Sequence, residues 1–275
     1  MKNRKIYTKN EALSILGKTA KLYHENLEGR DLLILSKNGK NIKTYEVAFL
    51  NTNFQHFTGT ISSNLSASDF YDAALNGQLS ISDFKFKNHD LTSMKIDILD
   101  KAVTFQNTAK MIGIYNGPRK ELRADIGAGN VQYVMTFRFD ESKGNDWLYP
   151  VGVQEEDVRE VTTKSPIIAI FRKDNNDKIY DEITYKSKNI SIDKLHFPKA
   201  IREKLSDEAY HALKPQQTEQ LTPQKQVHQE KESQVSSQPD KPSSIAERIA
   251  QKQKIIQQRV PVKHTHPHRN TDQEL

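Results

Sequence analysis

The stretch Val131-Gln132-Tyr133-Val134-Met135-Thr136-Phe137-Arg138-Phe139 predicts a β-strand, because it is rich in Val, Tyr and Phe. Four other segments in the second half of the chain have the same character: Lys110–Tyr115, Trp147–Val151, Ile167–Arg172 and Ile179–Tyr185. The links between them are short and rich in Gly, Asn and Asp, which favours antiparallel neighbours. A meander of about five strands is therefore expected after residue 108.

The first half of the chain predicts helices and one β-hairpin. Capping signals begin helices near Thr8, Ser66 and Asp90, and Asn38-Gly39 predicts the turn of a hairpin between the first two. Helices followed by a strand meander predict an α+β fold, with N-terminal helices packed on one face of an antiparallel β-meander sheet. Gly127-Ala128-Gly129-Asn130 is expected to be a loop within that meander, since no strand–helix context for a phosphate-binding fingerprint surrounds it.

Composition excludes several classes of protein. The chain has 275 residues and no cysteine, so a disulfide framework, a thiolate zinc site, an iron–sulfur cluster and a cysteine nucleophile are all excluded. Its longest apolar run, Ile167–Phe171, is far shorter than the roughly 20 residues of a membrane span. No apolar signal-peptide core follows the basic N-terminus. We therefore expect a cytoplasmic protein without a membrane partner.

Residues 213–275 differ from the rest of the chain. They hold 13 Gln and six of the ten Pro, with no Gly, Phe, Tyr or Trp. Such a segment buries too little apolar surface to fold alone, which predicts a folded domain over 1–212 and a disordered tail over 213–275. Within the tail, a helix at about 245–258 is either a solvated, marginal helix or one that folds on a partner. The net charge of +6 divides equally between the two parts, so nucleic-acid binding would need locally placed cations.

Several short motifs resemble the phage-associated barnase, EndoU, colicin and RelE-like nucleases (the PBECR families), and most of all their fourth group. The strongest is Asn53-Phe54-Gln55-His56-Phe57-Thr58-Gly59. The supporting stretches are Leu65–Tyr71, Met94–Leu99, Ala109–Gly113 and Ile168–Lys173. The resemblance covers roughly residues 25–190. It implies a compact barnase/RelE-like fold, metal-independent cleavage of RNA without a cofactor, and an origin in phages or conjugative elements.

RNA can be cleaved without a metal because its 2′-hydroxyl is a built-in nucleophile. The reaction needs a base, an acid and groups that stabilise the charged phosphorane. His56 is the first catalytic candidate, since its ordinary pKa of about 6.5 suits acid–base work. The neighbouring Thr58 could bind a phosphate oxygen or fix the imidazole. The alternative is a structural histidine in a segment that Phe54 and Phe57 anchor.

Arg138 and Tyr149 complete the predicted catalytic set. Arg138 alternates with Phe137 and Phe139, so it should face the open side of the sheet and bind phosphate, unless it is simply a solvated cation. Tyr149 could donate to phosphate or stack on a base, or else pack in the core. Further candidates for substrate binding are Lys110, Asn116 and Arg172, of which Asn116 is also a natural turn residue. Glu155 is an alternative base.

A metal site is not expected. His264-Thr265-His266-Pro267-His268 could chelate a divalent ion weakly, but no carboxylate or cysteine framework accompanies it.

Three hypotheses follow. The first is an RNA-cleaving nuclease domain of a mobile element, acting as an effector or toxin, with a disordered tail that can contact an immunity or mobile-element partner. The second is a catalytically inactive module of a conjugative or phage system that binds nucleic acid or protein and docks its partner through the tail helix. The third is a toxin that modifies a protein or nucleotide rather than cutting RNA. Convergence of His56, Arg138 and Tyr149 in one cleft would favour the first over the second.

Overall fold

The computed structural model describes residues 5–118, 122–144, 146–190, 192 and 195–213. The helices within these residues are Lys9–Asn26 (α1), Asn53–Thr58 (α2), Ala67–Leu75 (α3), His89–Ala102 (α4), Phe105–Thr108 (α5), Val158–Val161 (α6), Lys199–Arg202 (α7) and Asp207–Leu213 (α8). The strands are Arg30–Asn38 (β1), Asn41–Ala48 (β2), Thr60–Ser62 (β3), Phe84–Phe86 (β4), Met111–Ile114 (β5), Ile126–Gly129 (β6), Val134–Phe139 (β7), Trp147–Gln154 (β8), Ser165–Asp174 (β9) and Glu182–Lys186 (β10). None of the described helices combines the length and apolarity that crossing a membrane requires.

The local signals at the start of the chain are confirmed. Thr8 and Glu11 form the predicted capping box, in which the Thr8 side chain accepts from the Glu11 backbone and the Glu11 carboxylate accepts from the Thr8 backbone. Gly39 has a positive φ of 62°, and the turn that contains it joins β1 to β2 as an antiparallel hairpin. Ser66 caps α3, whereas Asn88 caps α4 two residues ahead of the predicted start.

The predicted antiparallel meander sheet is wrong, because the large sheet closes on itself. Its circumference runs β1-β2-β8-β7-β6-β5-β9, and β9 pairs back onto β1. Within the described residues this is a closed, seven-stranded mixed barrel packed with helices, in which β2 and β8 form the one parallel pair. β10 pairs with β9 outside the ring. The five predicted strand segments exist, and β7–β8 and β9–β10 pair as consecutive antiparallel neighbours. β8, however, also pairs with β2, and β5 pairs with β9, so the sheet is not a simple meander.

Long-range pairing accounts for the error. β9 carries Ile167–Phe171, whose five side chains are all buried, as expected for a strand covered on both faces. One edge of β9 pairs with β1, and the other pairs with β5 and then with β10. Strand propensity and short links indicate that strands exist and favour neighbours in sequence, but they contain no information about a partner far away in the chain.

The predicted loop at 127–130 is largely a strand as well. Gly127 and Gly129 lie in β6, between β5 and β7. A Cβ on Gly129 would lie 2.1 Å from the carbonyl oxygen of Tyr133, and one on Gly127 would lie 2.9 Å from the Thr162 side chain. These glycines therefore allow close packing rather than a turn.

Two layers of apolar residues cover the sheet. Ile34, Phe137 and Ile170 belong to the main core, which also contains the apolar faces of α1 to α4. Leu33 and Phe171, on the opposite face, pack against residues of α7 and α8. The predicted tail lies outside the described residues except for Leu213, which is buried at the end of α8. The domain boundary near 212 and the helix at 245–258 stay predictions.

Candidate active site

The segment that carries His56 is anchored to the protein core by aromatic packing. Phe54 and Phe57, the anchors expected from the sequence, are fully buried in α2. Their rings lie 5.5 Å and 6.1 Å from the ring of Tyr23 in α1. His56 lies between these anchors and is exposed. Because the two Phe residues fix one side of α2, its other side presents Gln55 and His56 outward.

α4 holds the end of the same helix. Lys95 Nζ donates to the carbonyl oxygen of His56 at 2.7 Å, and Thr92 Oγ1 donates to the carbonyl oxygen of Gly59 at 2.6 Å. Gly59 ends α2 in the left-handed region, with φ 71°. A Cβ at this position would lie 3.1 Å from both Thr92 Cα and Lys95 Cδ. Two hydrogen bonds and a glycine therefore dock the His56 turn onto α4.

His56 opens onto a cavity of about 550 Å³ between α2, α4, the β3–β4 region and β8. Lys87 and Lys95 contribute positive charge, and Thr60, Ser62 and Gln154 contribute neutral polar groups. The aliphatic residues that line it are Ile61, Leu65, Leu91, Leu122 and Val151. This combination of cations and apolar walls around a titratable group is typical of a ligand-binding site.

The cavity changes the proton affinity of His56. Partial desolvation of its imidazole, followed by the positive charges of Lys95 and Lys87, lowers the pKa of His56 below its ordinary value. At neutral pH the ring is therefore mainly unprotonated and able to accept a proton. Its side chain forms no hydrogen bond with the described residues, so it is available to a ligand.

Gln154 forms part of the cavity wall at the end of β8. It is 1% exposed, and its Oε1 accepts no hydrogen bond from the described residues. Buried polar atoms in native proteins are almost always paired, so an unpaired amide oxygen beside a cavity is unusual.

A family model matches residues 15–189, and its description is phage-Barnase-EndoU-ColicinE5/D-RelE like nuclease4. The chain belongs to this nuclease family. The matched residues include every strand of the barrel and every residue of the His56 cavity. No curated protein and no solved structure gives a significant match to the chain.

Three of the predicted site residues of this phage-type nuclease have polar groups already engaged in the fold. Thr58 is fully buried, and its hydroxyl is bonded to Gln55 O at 2.8 Å and to Thr60 Oγ1 at 2.7 Å. Lys110 Nζ donates to a backbone carbonyl and lies 3.8 Å from the ring centre of Tyr185. Arg172 forms an ion pair with Glu182 and also donates to the C-terminal end of α1.

Arg138 and Tyr149 lie directly opposite each other on β7 and β8. Arg138 is exposed, as its alternation with the buried Phe137 predicts. Neither side chain forms a hydrogen bond or ion pair with the described residues, but neither lines the His56 cavity. Asn116 is exposed after β5, where its backbone N–H donates to Val161. The structure thus brings Arg138 and Tyr149 together without placing them beside His56.

Lys87, Lys95 and Gln154 line the nuclease cavity but were not predicted as site residues from the sequence. Lys95 follows Leu91 by four residues on α4, so the pair shares a helix face, but only the tertiary contact with α2 gives that face a role. Glu155 lines a different cavity, with Asp97 and Lys101.

Within the part of the chain that the structure describes, no three His, Asp or Glu side chains are close enough together to hold a metal ion. The histidines from 264 to 268 and the predicted partner-docking helix lie outside the described residues.

Proposed function

We propose that this nuclease cleaves RNA through attack of the 2′-hydroxyl, with His56 as the general base. The observation that carries the proposal is an exposed, uncommitted imidazole of lowered pKa in a cavity that also contains two lysines. Membership of a nuclease family supports the reaction class. The internal 2′-hydroxyl makes RNA the substrate that these residue types suit best, because no metal-bound water is needed as nucleophile.

In the proposed reaction, His56 takes the proton from the 2′-hydroxyl as its oxygen attacks phosphorus. The bond from phosphorus to the 5′-oxygen breaks, and a 2′,3′-cyclic phosphate forms. The 5′-oxygen takes its proton from the Lys87 ammonium, whose side chain forms no hydrogen bond or ion pair with the described residues. Lys95, already fixed by the His56 carbonyl, stabilises the negative charge that grows on the phosphate oxygens.

Arg138 and Tyr149 are proposed to bind RNA beside the cut rather than to act in it. Burial along β8 alternates, with Leu148 and Pro150 buried and Tyr149 and Val151 half-buried. Tyr149 lies two residues before Val151, which lines the cavity and sits where the β7–β8 register shifts. Two strand residues span roughly 6.6 Å, so a nucleotide next to the cut can reach the tyrosine ring and the Arg138 guanidinium.

A second candidate is an inactive RNA-binding module. It is favoured by the separation of Arg138 and Tyr149 from the His56 cavity. In that case the same surfaces would hold RNA without cutting it.

Purified full-length protein incubated with several RNAs, with and without EDTA, distinguishes the two candidates. We expect cleavage that persists in EDTA, stops with His56→Ala and does not occur at a 2′-deoxy position. The exposed His211 provides a matched control, since His211→Ala should leave cleavage unchanged. Binding without cleavage of any RNA would favour the inactive module. Equal cleavage by His56→Ala would refute the proposed mechanism.

A further inference from the structure

Gln154 has a side chain whose hydrogen bonding is incomplete. It is 1% exposed, yet its Oε1 has no donor among the described residues. A buried acceptor without a partner destabilises a fold, because no hydrogen bond offsets its desolvation. Gln154 lines the His56 cavity, so a ligand that meets its amide oxygen when the side chain turns towards the cavity would supply the missing donor.

The surroundings of Gln154 indicate the chemistry of that ligand. Aliphatic side chains share the cavity, and one of them, Ile61, is 51% exposed. Such walls suit a flat, weakly polar ring. The unpaired atom is an acceptor, so it requires an N–H or O–H group. A phosphate diester has no donor and would be repelled by an amide oxygen, whereas a nucleobase has both a flat ring and N–H groups on its edge.

We infer that Gln154 reads the nucleobase of the nucleotide at the cleavage site, by accepting a hydrogen bond from an N–H group of the base. This inference rests on the proposed function, because it takes RNA as the ligand. A base that cannot place a donor at this position leaves the Gln154 oxygen unpaired. Sites that hydrogen-bond part of a substrate reject analogues that lack it more strongly than apolar pockets do. The cavity therefore makes the nuclease selective for the base beside the cut.

The test uses short RNAs whose 2′-positions are all O-methylated, so that binding is measured without cleavage. Four such RNAs share their flanking sequence and differ in one central base. Fluorescence anisotropy with the full-length protein should give affinities that span at least about tenfold, the effect of one hydrogen bond to a buried group. Gln154→Met, which keeps the length of the side chain but removes its polar atoms, should reduce that span to within about threefold.

Two further variants keep the test decisive. Gln154→Glu retains an acceptor oxygen and should retain the order of the four affinities. Gln132→Met, at an exposed position outside the cavity, should change nothing. Thermal melts check that Gln154→Met folds, which we expect because it removes an unpaired buried group. The same span of affinities in the wild type and in Gln154→Met would overturn the inference, as would equal or undetectable binding by the wild type.

Cleavage of the unmodified RNAs separates this inference from the proposed function. Cleavage of all four RNAs at one rate would reject the role of Gln154 and leave the nuclease proposal intact. Base-selective binding that Gln154→Met abolishes, without cleavage of any RNA, would reject the proposed reaction and support base recognition by Gln154.

Discussion

Lys95 affects His56 in two ways. Its Nζ holds the His56 carbonyl oxygen at 2.7 Å, and its charge contributes to the lowered pKa of the imidazole. A general base must be unprotonated, so kcat/KM should fall as the pH drops through the His56 pKa, which lies below the usual value of about 6.5. Lys95→Met removes a positive charge. The His56 pKa should then rise, and the acid limb of the pH profile should move to higher pH.

Measurement of kcat/KM from about pH 4.5 to pH 8, a range that brackets the histidine pKa, checks this shift. A purely structural role for Lys95 would lower the whole profile without moving the limb. Lys101→Met, on the same helix but lining a different cavity, serves as the control and should leave the limb in place. An unmoved limb in Lys95→Met would contradict the electrostatic coupling.

The residues of the site differ in how far the sequence predicts them. His56 could be found because it lies among Phe and Gly residues in a recognisable motif. Thr58 belongs to the same motif, but its hydroxyl is bonded inside the turn. Gln154 is the last residue of an apolar strand, and its importance depends on a missing hydrogen-bond partner, which only three-dimensional packing can reveal.

At the scale of elements, the end of α2 and its packing against α4 depend on Gly59. Alanine there would combine an unfavourable positive φ with contacts at 3.1 Å. We expect Gly59→Ala to cost about 1–3 kcal/mol of unfolding free energy from the backbone conformation alone, and more from the contacts. It should also displace His56 and reduce cleavage at least about tenfold, since small misplacements at an active site have large effects.

Gly77 provides the matched control. Its φ is also 71°, but a Cβ there would meet no atom within 4 Å. Gly77→Ala should therefore show only the conformational cost and keep full activity. Urea unfolding and initial cleavage rates measure both effects. Equal activity losses in the two variants would indicate that the turn does not position His56.

The pairing of β7 with β8 predicts a separate binding effect. If Arg138 and Tyr149 hold the neighbouring nucleotide, Tyr149→Ala and Arg138→Gln should raise KM several-fold while kcat stays nearly constant, because stacking on an aromatic ring contributes about 1–3 kcal/mol per base. Arg159→Gln, which alters an exposed arginine paired with Asp157, is the control for lost charge. A fall in kcat without a change in KM would indicate instead that Arg138 and Tyr149 act in catalysis, as the sequence analysis predicts.

At the scale of the whole molecule, closure of the barrel includes a buried ion pair. Asp31 in β1 and Lys173 in β9 lie opposite each other, with Nζ and Oδ2 2.8 Å apart and both side chains largely excluded from solvent. Lys173→Met would leave the Asp31 carboxylate unpaired and buried. We expect a loss of about 3–5 kcal/mol in unfolding free energy, measured by urea titration.

The exposed ion pair Lys199–Glu203 serves as the control for the buried pair Asp31–Lys173. Lys199→Met should cost less than about 1 kcal/mol, because solvent screens such pairs. A double variant, Asp31→Leu with Lys173→Met, should recover most of the stability lost by Lys173→Met, since no buried charge remains unpaired. A small effect of Lys173→Met alone would show that Asp31 is relieved of its buried charge, by protonation or by water, when its partner is absent.

The overall topology is the part of the fold that the sequence predicted least well. The Asn38-Gly39 turn and the strand at Ile167–Phe171 were both identified, yet nothing in either segment shows that β1 pairs with β9. Turn type and strand propensity depend on neighbouring residues, whereas closure of a sheet depends on packing between distant ones.

The parallel contact between β2 and β8 also has a consequence for synthesis. A ribosome releases His56 early, with the N-terminal hairpin and α2, but Val151 and Gln154 follow only with β8, and the strand that closes the ring is later still. Domains generally fold as units once their residues have emerged. The nascent chain therefore carries His56 without a cavity around it. The complete cavity forms in the producing cell only when translation of the domain is nearly complete.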